Sequence, residues 1–323
     1  MAGAPGSTRG VLLGVDIGGT KVALGTAVGR SAARRTMRLP SAAADDSAEA
    51  LLDRVVAAAR DLVEQSTAEW QAPLTGVGVV CPGVVLEHGI LLAPNNPGWE
   101  TVRLRETFQK AFPQAPIGVM NDVKAGALAE LTRGALSGIR SGLFLNLGTG
   151  VAAAIVVNGA LVEGGHGAAG EIGYQVPGSR ADIAHSDGHA PLAYTDGHAP
   201  LEELVSGRAI ADRASAALGR KVDTATAFTL AATEPAVRAI IDEALELLAV
   251  HVANLAVALD PERIVLGGGL VRQAPLIVPR LTAALGRIVP FPPEVRVAAL
   301  PDDVPLEGAF EVAAGIAGTA VQQ

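Results

Sequence analysis

The stretch Gly14–Gly25, GVDIGGTKVALG, follows the apolar run Val11, Leu12, Leu13 and reads as strand, tight turn, strand. Gly18 and Gly19 remove the Cβ atoms that hold a backbone away from a bound anion, and they permit the positive φ of a two-residue hairpin. Such a turn aims several backbone N–H groups at one place. Thr20 adds a hydroxyl and Lys21 a positive charge, which makes a cradle suited to phosphate. Asp16 beside it would repel a bare phosphate but welcome a hydrated Mg²⁺ carried in with a nucleotide. A plain hairpin with a polar tip has the same local pattern, so the rest of the chain must decide.

At 323 residues the chain is long enough for two domains, each with its own core, and two lobes invite a cleft. Its composition, 49% hydrophobic with 3% aromatic and 38 glycines, suits sheets covered by helices. A net charge of −8 argues against nucleic acid as a partner and leaves a small ligand as the default. Cys81 is the single cysteine, which excludes an internal disulfide framework and a multi-cysteine metal site. The sequence shows neither a signal peptide nor an apolar run of membrane-spanning length, so no membrane partner and a cytoplasmic location are expected.

Periodicity predicts a helix over 47–65 with Ser47 as its N-cap, and a strand from Leu74 to Val80 that ends in the sharp turn Cys81, Pro82, Gly83. Ligands of open α/β folds gather at such strand ends. Arg34, Arg35 and Arg38 are expected on the solvated face of a third strand. The loop Ala93–Trp99 carries Asn95 and Asn96, amides able to read hydroxyl groups or to make a structural turn. The strand Ile117–Met120 runs into Asn121 and Asp122, where Asp122 is either a helix cap or a base. A second strand, glycine turn and strand follows, with Gly148, Thr149 and Gly150 between Leu143–Leu147 and Val151–Val157, then an Asn158-Gly159 hairpin. This echo of the opening stretch is what a fold of two related halves would show. Glycine-rich 164–173 places Glu171 in a loop or strand edge, and Leu201–Ala217 is expected as one helix. Pro235–Leu259 reads as a core helix, and Ile264–Leu266 as a strand entering Gly267, Gly268 and Gly269. Leading into the helix expected from Leu201, DGHAPL occurs twice, at 187–192 and 196–201, and a metal site on its histidines is weighed against a duplicated surface loop.

VDIGGTK (15–21), CPG (81–83), NNPGW (95–99), MND (120–122), LGTG (147–150), AGEIG (169–173) and IVLGGG (264–269) stand in this order. In that ordered set the chain resembles the ROK family of sugar kinases and sugar-responsive repressors. The resemblance implies a two-lobed actin-like ATPase (ribonuclease H-like) α/β fold, with duplicated mixed sheets and helices on both faces. Its small domain would be 1–121 with the helix 307–323 packing back on it, and its large domain 122–306. It further implies that Gly18, Gly19 and Thr20, with Asp16 and Lys21, form the first nucleotide loop, Gly148, Thr149 and Gly150 the second, and Gly267, Gly268 and Gly269 the loop beside adenosine. Asn96, Asn121, Glu171 and Glu202 fall where the family binds sugar hydroxyls, and Asp122 falls on the catalytic base.

By the same resemblance, most members have a histidine after GEIG, which touches the sugar, and a CxCGxxGC segment; together these bind a structural zinc. Here Tyr174 replaces that histidine and the cysteines are absent, so zinc loss, no protein-held metal and an altered substrate are expected. Ala152 and Ala153 stand where glycines commonly follow GTG, and Lys124 where an asparagine commonly follows the base. The expected activity is phosphorylation of a hexose or hexose-like hydroxyl by ATP with Mg²⁺, by a glucokinase-like homodimer. The alternatives are a cyclitol or amino-sugar kinase and a sugar-binding protein that has lost catalysis. By the same resemblance the repressor members carry an N-terminal helix-turn-helix domain, and with only about ten residues before the first strand a repressor is not the expected reading.

Overall fold

The computed structural model describes residues 10–19, 21–29, 34–41, 47–93, 98–178, 199–300 and 304–320. Its contacts divide the chain into one unit of Met1–Thr132 with Leu300–Gln323 and a second of Arg133–Ala299. This division falls at the end of the helix that begins at Asp122, one helix later than the expected boundary at 121/122.

The first unit is a five-stranded sheet in the order β3 (Arg34–Pro40), β2 (Lys21–Val28), β1 (Val11–Ile17), β4 (Leu74–Cys81), β7 (Ile117–Asn121). The hairpin partners run antiparallel, whereas β1, β4 and β7 run parallel. Parallel strands buried on both faces read as continuous apolar runs, and all seven residues of β1 are buried. One face is covered by α1 (Ala48–Trp70) and α2 (Leu104–Ala111), which pack Val55, Leu62 and Phe108 against Leu13, Val15 and Val79. Ser47 caps α1 by accepting from Ala50 N–H, as its sequence predicts. The other face takes α9 (Val304–Ala320), a helix of small residues that lies close to the strand backbone. A Cβ on Gly78 would run into Ala309 O, and one on Gly308 into the backbone of Ala125 in α3 (Asp122–Arg133). Small residues thus bind sheet, α9 and α3 into one block. Arg34 is not the solvated arginine expected: it pairs with Glu307 of α9 and stacks 4.9 Å over the Phe310 ring.

The second unit repeats the design. Its sheet runs β10 (Ala160–Leu161), β9 (Val151–Val157), β8 (Gly142–Leu147), β11 (Arg263–Gly267), β12 (Glu294–Val297), with the same antiparallel and parallel pairs in the same places. Helices α5 (Gly207–Leu218), α6 (Thr224–Leu230), α7 (Pro235–Leu259) and α8 (Ala274–Ile288) build its core with Leu143, Leu145, Ile264 and Leu266. The helix expected over 201–217 is broken, because Ser206 is extended and accepts from Ala209 N–H as the cap of α5; only Glu202–Val205, α4, precedes it. The two short strands β5 (Val84–Leu86) and β6 (Gly89–Leu91) form a separate hairpin in the first unit.

Candidate active site

In the first unit, parallel pairing brings the carboxyl ends of β1, β4 and β7 side by side, with Asp16 opposite Val80 and Cys81 opposite Asn121. Ile17 leads into the hairpin, closed by Gly18 N–H donating to Lys21 O at 3.0 Å, while Ser41 Oγ holds Gly18 O at 2.6 Å. Gly19 and Lys21 are exposed at its tip. Asp16 is 9% exposed. Cys81 is fully buried, and burial, followed by the negative charges of Asp122 and Asp16, pushes its thiol well up; it therefore stays protonated.

Asn121 is the cap that begins α3. Its Oδ1 accepts from Val123 N–H and Lys124 N–H, both at 3.0 Å, and its Nδ2 donates to Gly83 O at 2.9 Å. One side chain therefore ties the CPG turn to the start of the helix. Asp122 is the first helical residue, partly exposed, and its Oδ1 also accepts from Val123 N–H at 2.9 Å. Burial pushes its carboxyl above the ordinary aspartate range, against the lowering effect of that N–H. A carboxylate held in this way and kept slightly basic suits proton abstraction.

In the second unit the turn after β8 is tied down through its carbonyls. Gly148 O accepts from Gly207 N–H at 2.9 Å, Thr149 O from Arg208 N–H at 3.4 Å, and Gly150 O from Gly148 N–H at 3.0 Å. Carbonyls drawn inward in this way do not repel an anion, which is the arrangement a phosphate cradle needs. The third glycine loop adjoins it: a Cβ on Gly148 would stand 3.6 Å from Gly269 N. Gly268 takes φ +83, and a side chain there would meet Leu147 O and Asn146 Oδ1. Gly267 closes β11 with its Cα against the Phe144 ring. Ala152 and Ala153 lie in the β8–β9 ladder, past the turn.

The loop carrying Glu171 docks on β9, where Ala153 N–H donates to Gly170 O at 2.8 Å. Glu171 precedes a short 3₁₀ turn, Ile172–Tyr174. Glu202, at the start of α4, reaches back so that its Oε2 accepts from Val151 N–H at 2.9 Å. Burial raises the Glu202 carboxyl, offset in part by that N–H. Burial also raises the Tyr174 phenol, and the charges of Glu171 and Glu202 add to it. Gln175 bonds His251 Nδ1 of α7 at 2.8 Å and so anchors the far side of this loop. A cleft of about 320 Å³ lined by Glu203, Ser206, Arg208, Ala209, Asp212 and Arg213 opens beside the start of α5.

The first unit thus gathers Asp16, Gly18, Asn121 and Asp122, and the second gathers the turns at 148–150 and 267–269 with Glu171, Tyr174 and Glu202. Thr20, Asn96 and the histidines of the DGHAPL repeats lie outside the described residues. Among the described residues no three His, Cys, Asp or Glu side chains are grouped to hold a metal ion. Ser41 and the Gln175–His251 pair escaped the sequence reading, for neither stands in a motif. A serine after Pro40 and a histidine in an apolar helix carry no signal of what they touch.

The ROK family model matches residues 12–316. A glucokinase of Halalkalibacterium halodurans is 30% identical over 278 residues, 80% of each chain. A kanosamine kinase of Amycolatopsis mediterranei is 30% identical over 318 residues, 94% of this chain and 96% of that one. Among solved structures, a ROK hexokinase of Thermus thermophilus is 28% identical and superposes with a TM-score of 0.75 over 97% of this chain and 99% of its own. With two sheets of matching topology, glycine turns at matching strand ends and a family match across nearly its whole length, this chain belongs to the ROK family.

Proposed function

We propose that this protein transfers the γ-phosphoryl group of ATP to a hydroxyl of a hexose or hexose-like sugar, with Asp122 as general base. The observation that carries the reading is Asp122 itself: a carboxylate at the carboxyl end of β7, fixed by the Asn121 cap and raised by burial. Family membership and relatives named as sugar kinases support it. Phosphoryl transfer passes through a loose transition state, so the protein's work is alignment and charge stabilisation. The sugar oxygen bonds to the γ-phosphorus, its proton goes to Asp122, and the bond to the bridging oxygen breaks to release ADP. The turns at 148–150 and 267–269 orient the phosphates and adenosine, and Gly18, Gly19, Thr20 and Lys21 serve the phosphates. Mg²⁺ would arrive on the nucleotide and neutralise phosphate charge, with Asp16 holding it through water. A nucleotide-borne ion needs only one such carboxylate.

On the sugar side, Asn96, the remaining amide hydrogen of Asn121, Glu171, Tyr174 and Glu202 would read hydroxyls. A second reading, a free amino hexose, is favoured by the match to the kanosamine kinase, which spans more of both chains than the match to the glucokinase. Two carboxylates beside a tyrosine would accept hydrogen bonds from an ammonium group. No helix among the described residues is long and apolar enough to cross a membrane. We place the protein in the cytoplasm as a homodimer, the assembly that likeness to the family implies. The test is ADP release from MgATP across hexoses, free amino hexoses, N-acetyl amino hexoses and cyclitols. Turnover with one class names the substrate, and silence across the panel contradicts the kinase reading.

A further inference from the structure

We propose that Glu202 is a positioning residue for the nucleotide: its carboxylate braces the 148–151 turn, so that the segment holding the sugar loop also sets the phosphate cradle. The inference rests on the kinase reading above. Four bonds from one short segment carry it. Leu201 N–H donates to Gly173 O at 3.0 Å in the loop of Glu171 and Tyr174. Glu202 Oε2 accepts from Val151 N–H at 2.9 Å, at the exit of the turn. Gly207 N–H and Arg208 N–H then take Gly148 O and Thr149 O at its entry. Residues 201–208 therefore clasp both loops, and Glu202 provides the only side chain among these four bonds.

Packing agrees. A Cβ on Gly150 would sit 3.1 Å from Glu202 Cδ, and a Cβ on Gly173 would sit 3.2 Å from Glu202 Cβ. Glycine at both positions lets the carboxylate lie between the two loops. A residue whose task was only to read a sugar would not need its oxygen on the turn's backbone. Glu202 is half-buried, and a backbone N–H left without this acceptor in such a place loses its partner outright.

The test is calorimetric affinity for the magnesium complex of the non-hydrolysable analogue AMPPNP, with and without the sugar identified by turnover. The variants are Glu202→Gln, Glu202→Ala and Gly150→Ala. Gln keeps an oxygen for Val151 N–H, so nucleotide affinity is expected to stay within about threefold of wild type while sugar KM changes. Ala removes the acceptor, and nucleotide Kd is expected to rise about tenfold or more even without sugar. Gly150→Ala leaves Glu202 in place but pushes its carboxylate off the turn, so it should match Glu202→Ala and stands in for that variant if it does not fold. Wild-type nucleotide affinity in both alanine variants overturns the brace, as does Gln failing as badly as Ala. A wild type that binds no nucleotide overturns the kinase reading and the brace together.

Discussion

Removing the Asn121 side chain is the perturbation whose cost the structure sets out most fully. Asn121→Ala takes the acceptor from Val123 N–H and Lys124 N–H and the donor from Gly83 O, all at a side chain 7% exposed. Loss of an N-cap costs about 0.5–2 kcal/mol. Here the lower half applies, since Asp122 Oδ1 also accepts from Val123 N–H. Leaving the buried Gly83 carbonyl without its donor adds about 1–3 kcal/mol. Together these predict a loss of about 2–4 kcal/mol from the first unit. Both tryptophans, Trp70 and Trp99, belong to that unit, so their fluorescence during urea unfolding reports on it alone. Asn121→Ser retains a cap oxygen without the donor to Gly83 and should fall between wild type and Ala. The same variants should lower kcat in that order, because the carboxylate of Asp122 loses its fixed start of helix. A cost for Asn121→Ala below about 0.5 kcal/mol, the size of an ordinary surface change, would refute the reasoning.

Four further outcomes follow from the geometry. Because Asp122 must be ionised to accept a proton and burial raises its carboxyl from 3.8, kcat/KM should rise with pH through a value above that of an ordinary aspartate, and a pH-rate profile on wild type checks this. For stability the sign is opposite: the folded state holds that proton more tightly, so Asp122's contribution declines as pH rises from its unfolded to its folded pKa, and at neutral pH Asp122→Asn should melt no lower than wild type. Gly268→Ala puts a side chain at φ +83 and 2.7 Å from Asn146 Oδ1, which should weaken nucleotide binding about tenfold in a titration while leaving the tryptophan-reported unit unchanged. Gly78→Ala drives a methyl into Ala309 O, so the first unit should lose about 1–3 kcal/mol or more in urea unfolding while the second unit's melting is unchanged.

The repeated design was legible because it rests on short-range chemistry. Apolar runs ending in glycine turns at Gly18 and Gly148 foretold two sheets, and both sheets follow one strand order. Pro235–Leu259 was legible to the residue, since a proline starts it and its apolar period is sustained. What escaped the sequence depends on distant partners. Arg34 looks solvated until α9, from the far end of the chain, brings Glu307 to it. The local pattern left Asp122 open between a helix cap and a base; the fold makes Asn121 the cap and Asp122 the first helical residue. Ser206 breaks a helical pattern that continues on either side of it, because its hydroxyl offers the backbone another partner. Glu202 gave no local hint that it reaches 51 positions back to Val151.

The measurement that tests the central claim most directly is single-turnover phosphoryl transfer by wild type and Asp122→Asn, with the affinities of both substrates measured alongside. Asn keeps the shape and can accept from Val123 N–H, so binding should be preserved while the chemical step slows by about a hundredfold or more. A variant that transfers phosphate at the wild-type rate would contradict the assignment of Asp122 as the base.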